Sequence, residues 1–188
     1  LVTALNLPKT INVVWGGQFE NQQRAAARLA IVIPIALGLI FAILMMTFGS
    51  AIQAGIIFLN IPFALVGGVV ALTVTGQYLS VPASVGFIAL LGIAVLNGVV
   101  MVTHFNERLV KGDSMTDVIH FGTERRLRPV LMTAVITALG MIPLLFATGP
   151  GSEIQRPLAI VVIGGLITST LLTLLLLPKL YERFGALK

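Results

Sequence analysis

The sequence predicts an all-α integral membrane protein with five transmembrane helices. Three observations carry that prediction. Of 188 residues, 57% are hydrophobic and only 10% are Asp, Glu, Lys or Arg, whereas a soluble domain carries about a quarter charged residues. Mean hydropathy is +1.02. The charges are also segregated: residues 29–106, 129–152 and 157–178 contain no Asp, Glu, Lys or Arg. A helix needs about 20 apolar residues to cross a bilayer. Each of the two shorter tracts is therefore one crossing, and the long one fits three crossings with two tight turns.

Taken in order, residues 1–28 are mixed in character and read as the end of an extramembrane domain followed by a lead-in helix. Thr10 to Gly17 (TINVVWGG) is rich in β-branched residues and ends in two glycines, which predicts a short strand and a turn. The alanine-rich run around Arg24 and Arg28 starts a helix. So short a piece buries too little to fold alone, and it reads as the interior of a longer protein. Residues 29–188 are the membrane domain. Span one is expected over 29–48, with a turn at Gly49, Ser50 and Gln53, and span two over 54–75. Within span two, Pro62 lacks a backbone donor and should kink the helix, while Gly67 and Gly68 allow close helix contact. Span three is expected over 83–105, span four over 129–147, and span five over 157–177, where Pro178 should end it. Between spans three and four, residues 106–128 read as a loop. Ser114 and Asp117 form a capping-box pattern there, and Met115, Val118 and Ile119 fall at helical spacing. That spacing predicts a short amphipathic helix lying on the membrane surface.

Orientation follows from the Lys and Arg distribution. Arg108, Lys111, Arg125, Arg126 and Arg128 lie in the 104–128 segment, and Lys179, Arg183 and Lys188 in the C-terminal tail. With five spans these segments share a side, and the opposite loops contain only Arg156. The 106–128 loop and the C-terminus are thus expected to be cytoplasmic, and the N-terminal segment outside. The net charge of +5 sits at span ends and is not interleaved with aromatics, so nucleic-acid binding is not indicated. There is no cysteine, which excludes disulfides and thiolate metal sites within this chain. No nucleophile–base–acid set and no phosphate-binding loop is present, so no enzyme is expected.

The stretch GFIALLGIAVLNGVVMVTHFNERL (Gly86 to Leu109) precedes that amphipathic segment, and GTERRLRPVLMTAVITALGMIPLLFATGPGSEIQRPLAIVVIGGLITSTLLTLLLLPKLYERF (Gly122 to Phe184) follows it. Together with VVWGGQFENQQRAAARL (Val13 to Leu29), they resemble the C-terminal membrane segment of resistance–nodulation–division (RND) efflux pumps, in particular the heavy-metal-efflux branch of cobalt–zinc–cadmium type. The resemblance implies the last five helices of a twelve-helix membrane domain in a bacterial inner membrane. It also implies exchange of protons for exported divalent heavy-metal cations, with no further cofactor. The implied partners are the lipid bilayer, the N-terminal half of the pump, two further copies in a homotrimer, a periplasmic adaptor and an outer-membrane channel. The proton-binding carboxylates of such pumps lie in the first half.

Asn97, alone among apolar neighbours, is either interhelical glue or, by the resemblance, a residue facing the proton-bearing span of the other half. Leu96 stands where multidrug members carry lysine and the copper–silver branch glutamate, which favours the divalent-cation branch. Arg126 is either a snorkelling anchor or a relay partner, and Thr133 shares its helix face two turns on. Asn97, Arg126 and Thr133 are the candidate transport residues. His104, His120 and Glu107 invite a metal site but lack a converging third ligand. The methionines in or near spans read as apolar packing rather than a soft-metal path. Alternative readings are a non-transporting assembly fragment of such a pump, or a module of a multidrug RND pump. A half-transporter that pairs with itself fits poorly with an odd span number.

Overall fold

The structure, a computed structural model, describes residues 18–185. The strand and turn expected over Thr10–Gly17 lie outside the described residues. Helix α1 (Gln18–Phe48) continues without a break from the lead-in segment through span one. Helices α2 (Ala51–Phe58) and α3 (Asn60–Val74) together make span two. Helix α4 (Val81–Val110) is span three, α5 (Met115–Leu145) span four, and α6 (Ser152–Leu180) span five, closed by a π-helical turn at Tyr181–Gly185. All five spans are long and apolar enough to cross a membrane.

Span two breaks where the sequence indicated. Pro62 cannot donate to the carbonyl of Phe58, four residues earlier, and α2 ends at Phe58. The Leu59 N–H still reaches the Gly55 carbonyl at 2.9 Å, so the break is a single-residue offset, not a loop. Three turns begin with serine caps. Ser50 accepts from the Gln53 N–H at 3.4 Å, Ser80 from the Ala83 N–H at 3.4 Å, and Ser114 from the Asp117 N–H at 3.2 Å.

The 106–128 segment differs from expectation. The residues expected as a separate amphipathic helix are helical, but they form the first part of α5, and the α4–α5 connection is only Lys111–Ser114. Their apolar stripe packs on protein. Val118 is fully buried, and Met115 and Ile119 pack with it on the cluster formed by Phe105, Val102 and Tyr181. Gly122 lets this happen: a Cβ there would sit 2.8 Å from the Phe105 ring. This apolar stripe thus has a protein partner, while Phe121 remains exposed. Span five also runs past Pro178. The ring removes one bond to the Leu174 carbonyl, but the chain continues helically and widens into the π turn.

Helix α6 is the centre of the bundle, packed between α3, α4 and α5. Its crossing with α3 is a backbone contact made possible by glycine. A Cβ on Gly164 would lie 2.2 Å from Ala71 Cβ, and one on Gly67 would lie 1.8 Å from Thr168 Oγ1. A Cβ on Gly165 would lie 1.9 Å from Leu90 Cδ2 on α4. Close approach of small residues is how helices associate in lipid, where no hydrophobic drive separates them from the solvent. In contrast, α1 and α5 are peripheral. Only 6% of the α1 span window and 11% of that of α5 is buried.

The end of the bundle carrying the C-terminus is tied by side-chain amides. Gln53 Nε2 donates to Asn106 Oδ1 at 3.1 Å and to the Gly185 carbonyl at 3.0 Å. Asn106 Nδ2 returns a bond to Gln53 Oε1 at 2.9 Å, and the buried Tyr181 hydroxyl donates to Asn106 Oδ1. This network joins α2, α4 and the π turn, and it ties residues 179–185 against the bundle.

Two outcomes follow for the intact protein, measured by SDS-titration unfolding in mixed micelles. Gly164→Ala should destabilise by roughly 1–3 kcal/mol, because its methyl has no room against Ala71, while Gly92→Ala, with nothing within 4 Å of its Cβ, should be neutral. Asn106→Leu should cost on the order of 2 kcal/mol by stranding Gln53 and Tyr181 together, and Tyr181→Phe less than half of that.

Candidate functional site

Helix α4 buries a stripe that includes Leu90, Ala94, Asn97, Gly98, Met101 and Phe105. Asn97 is on this inner face, 5% exposed, whereas Leu96, one residue and about 100° round the helix, is 57% exposed. The resemblance implied an Asn97 turned toward a span outside this chain. Its side chain instead lies within the five-helix body, and Leu96 is the residue that faces out.

A second buried amide lies against the same helix, at the residue next to Asn97. Asn60, the first residue of α3, is 3% exposed. A Cβ on Gly98 would lie 3.1 Å from Asn60 Nδ2 and 3.0 Å from Ile57 Cγ2, so the Asn60 amide rests against α4 beside Asn97. The helix offset at Leu59 brings it there, because it starts α3 on a new phase relative to α2. Sequence reasoning passed over Asn60. The signal was available in NIPF, an amide two residues before a helix-breaking proline inside an apolar run.

Arg126 and Thr133 both lie on α5 but are differently placed. Arg126 is half-buried, one turn beyond Gly122, near enough to His104 of α4 for their charges to interact. Among the described residues it has no carboxylate partner. Thr133 is exposed, and its hydroxyl donates to the Pro129 carbonyl of its own helix at 2.9 Å. Among the described residues no hydrogen bond joins Asn97, Arg126 and Thr133. The two α5 residues lie along a helix little covered by this chain, and Asn97 lies on the buried face of α4.

His104 Nδ1 is 3.9 Å from Glu107 Oε2, and its Nε2 is buried without a partner. Among the described residues no third His, Asp or Glu gathers with them. Arg108 is held by Asp113 at 2.8 Å across the α4–α5 turn. Met101 is enclosed in the apolar cluster with Val102 and Phe105, while Met46 and Met132 face outward. The methionines therefore do not converge.

The profile of the AcrB/AcrD/AcrF family matches residues 1–185. The chain is 48% identical over 178 residues to the cobalt-zinc-cadmium resistance protein CzcA of Cupriavidus metallidurans, covering 95% of this chain and 17% of that protein. It is 54% identical over 181 residues to protein HelA of Legionella pneumophila, covering 96% of this chain and 17% of that protein. A crystal structure of a heavy metal efflux pump superposes with a TM-score of 0.81 at 49% identity, over 96% of this chain and 18% of that one. The chain thus spans about a sixth of the length of these relatives. With five apolar spans, a glycine-built core and matches of this extent, it belongs to the AcrB/AcrD/AcrF family of resistance–nodulation–division transporters, in its heavy-metal branch.

Proposed function

We propose that the chain is the membrane module of a proton-driven pump that exports divalent heavy-metal cations, and that it is a transporter part and not an enzyme. The observation that carries this reading is an asymmetry. The charge-free tracts hold amides and hydroxyls but no carboxylate, and the half-buried Arg126 stands three residues before the second of them. A group that takes up and releases protons inside a membrane must have its counterpart elsewhere, in a first half of the kind the much longer relatives carry. The peripheral α1 and α5 offer the uncovered surface against which other spans can pack.

In this reading Arg126 is the charge partner. Protonating a carboxylate near a guanidinium removes their attraction, and the helices carrying them then separate. An unpaired guanidinium costs roughly 2.5–3.5 kcal/mol at the bilayer centre on insertion scales and less toward the span end where Arg126 lies, and that cost favours re-pairing once the carboxylate is ionised again. Thr133, two turns along the same helix, lines the same docking face. Asn97 acts from behind that face by holding α4 to α3 through its neighbourhood with Asn60. Movement of α5 against the rigid α3–α4–α6 core would be passed to extramembrane domains that bind the ion. The N-terminal segment is then periplasmic, the α4–α5 turn and the C-terminus cytoplasmic. The whole pump would work as a homotrimer with a periplasmic adaptor and an outer-membrane channel.

Proton-coupled zinc or cobalt flux in proteoliposomes containing the full-length pump tests the roles. Arg126→Ala should lower flux at least about tenfold, equivalent to about 1.4 kcal/mol, with normal insertion. Thr133→Val should have a smaller effect and Asn97→Ala an intermediate one. Flux unchanged in Arg126→Ala would remove it from the mechanism. The absence of native cysteine makes the orientation testable with single substitutions in this chain. Lys111→Cys should react with a membrane-impermeant maleimide only from the cytoplasmic side, and Thr148→Cys only from the periplasmic side.

A further inference from the structure

Several hydroxyls of the spans are satisfied locally. Thr47, Thr75 and Thr133 each donate to the carbonyl four residues back, and Thr168 donates to Phe63 on α3 as well as to its own helix. Ser169, Thr170 and Thr173 break the pattern. Their hydroxyls are buried, at 2%, 4% and 0% residue exposure, and none has a partner among the described residues. Asn60 Nδ2 is in the same state, as are Thr123 Oγ1 and His104 Nε2, but Asn60 alone of these lies on α3 against α6 and α4.

Asn60 Nδ2, Ser169 Oγ and Thr173 Oγ1 lie within about one helical turn of one another in depth. The glycine contacts set the register of α3, α4 and α6: Gly68 meets Phe87 and Val161, Gly165 meets Leu90 and Ala64, and Gly98 meets Ile57 and Asn60. Helices α4 and α6 advance together while α3 runs the other way. One turn beyond the Leu90–Gly165–Ala64 level, Ser169 comes level with Ala94 and with Asn60–Ile61. One further turn brings Thr173 level with Asn97–Gly98 and with Ile57. The α2–α3 offset at Leu59 lies at this same level, where Pro62 leaves the Phe58 carbonyl without its helical donor. Two amides, two hydroxyls and a helix break thus fall within about one turn of one another, about halfway along the spans, with apolar layers on either side.

We propose that this layer is an internal hydrated site, in which ordered water bridges Asn60 Nδ2, Ser169 Oγ and Thr173 Oγ1 beside Asn97. The chemistry selects water. The amide nitrogen is a donor, whereas the hydroxyls can donate or accept, and water answers both kinds of group in one place. Broken helices are tolerated at membrane depth where the freed backbone lines such a polar space. Conservative packing alone does not account for it, since Ala and Val would fill the Ser169 and Thr173 positions with no polar atom to satisfy. The site gives the Asn97 region a mobile polar medium inside the core, separate from the docking face on α5. It does not rest on the transport reading, and it holds for any assembly that keeps the α3–α4–α6 core.

The test is X-ray radiolytic hydroxyl labelling of the full-length protein in lipid nanodiscs, read by mass spectrometry. Bound water generates radicals in place, so Ile57 and Met101, both fully buried beside the layer, should be oxidised in wild type. In Ser169→Ala/Thr173→Val their labelling should fall to the level of a dry core residue such as Val162. The double variant should also show no rise in thermal midpoint, because it gives up bridging water along with the hydroxyls. Unlabelled Ile57 and Met101 in wild type would overturn the proposal whatever the variant does. So would a variant that keeps the label, or one whose midpoint rises, as removal of stranded hydroxyls from a dry layer would produce. If the double variant fails to insert, Thr173→Ser, which keeps the hydroxyl, should retain the label, and loss of the label there counts against the site.

Discussion

The crossing of α3 on α6 is the contact on which the rest of the structure depends. Backbone meets backbone at Gly67, Gly164 and Gly165, with separations that leave no space for a single added carbon. In lipid, apolar side chains gain little by leaving solvent for protein, so dense packing between small residues has to supply the association. The crossing also sets register. Once Gly165 is seated on Leu90 and Ala64, the depth of every residue on three helices is determined, and the polar groups of Asn60, Asn97, Ser169 and Thr173 fall together as a consequence.

The spans were legible because charge exclusion is a composition signal that tertiary packing cannot disguise: a tract such as residues 29–106 has one physical solution. The break at Pro62 and the close approach at Gly67 and Gly68 were legible for a similar reason, each resting on an atom that is missing. What could not be read was the partner of a face. Met115, Val118 and Ile119 form an apolar stripe whether they lie on lipid or on Phe105, and only the tertiary arrangement chooses between the two. The same holds for Gln53 and Asn106. They looked like turn and loop residues because amides favour such places, and the bond between them spans 53 residues of sequence.

Helix phase accounts for the mixed outcome at the candidate site. A resemblance can indicate that Asn97 matters, but one residue is about 100° of rotation, and that angle separates a buried amide from the outward Leu96. The local sequence around both is uniformly apolar, so no periodic contrast marks which face is inner. Thr133 illustrates a related limit. Its spacing from Arg126 is correct for a shared face, yet its hydroxyl is already engaged by the Pro129 carbonyl. Spacing reports which side chains are neighbours on a helix, while hydrogen bonding reports which are free to act.

A division of labour emerges from how the helices are held. Helices α2, α4 and the end of α6 are tied by the Gln53–Asn106–Tyr181 network, and α3, α4 and α6 by glycine contacts, so these elements move as one body. Helix α5 is joined to that body by Val118 and Gly122 against Phe105 near its start and by Ala134, Met141 and Leu145 against the core farther along, while its outward surface is uncovered. Prolines at 129 and 143 each remove one of its internal hydrogen bonds. The half-buried Arg126 sits between these two regions of contact, three residues before Pro129. On the proposed function, a force applied there by a carboxylate of another segment would act beside the Arg125 carbonyl that Pro129 leaves without its helical donor, so the helix can bend at that point while its packing on the core is kept.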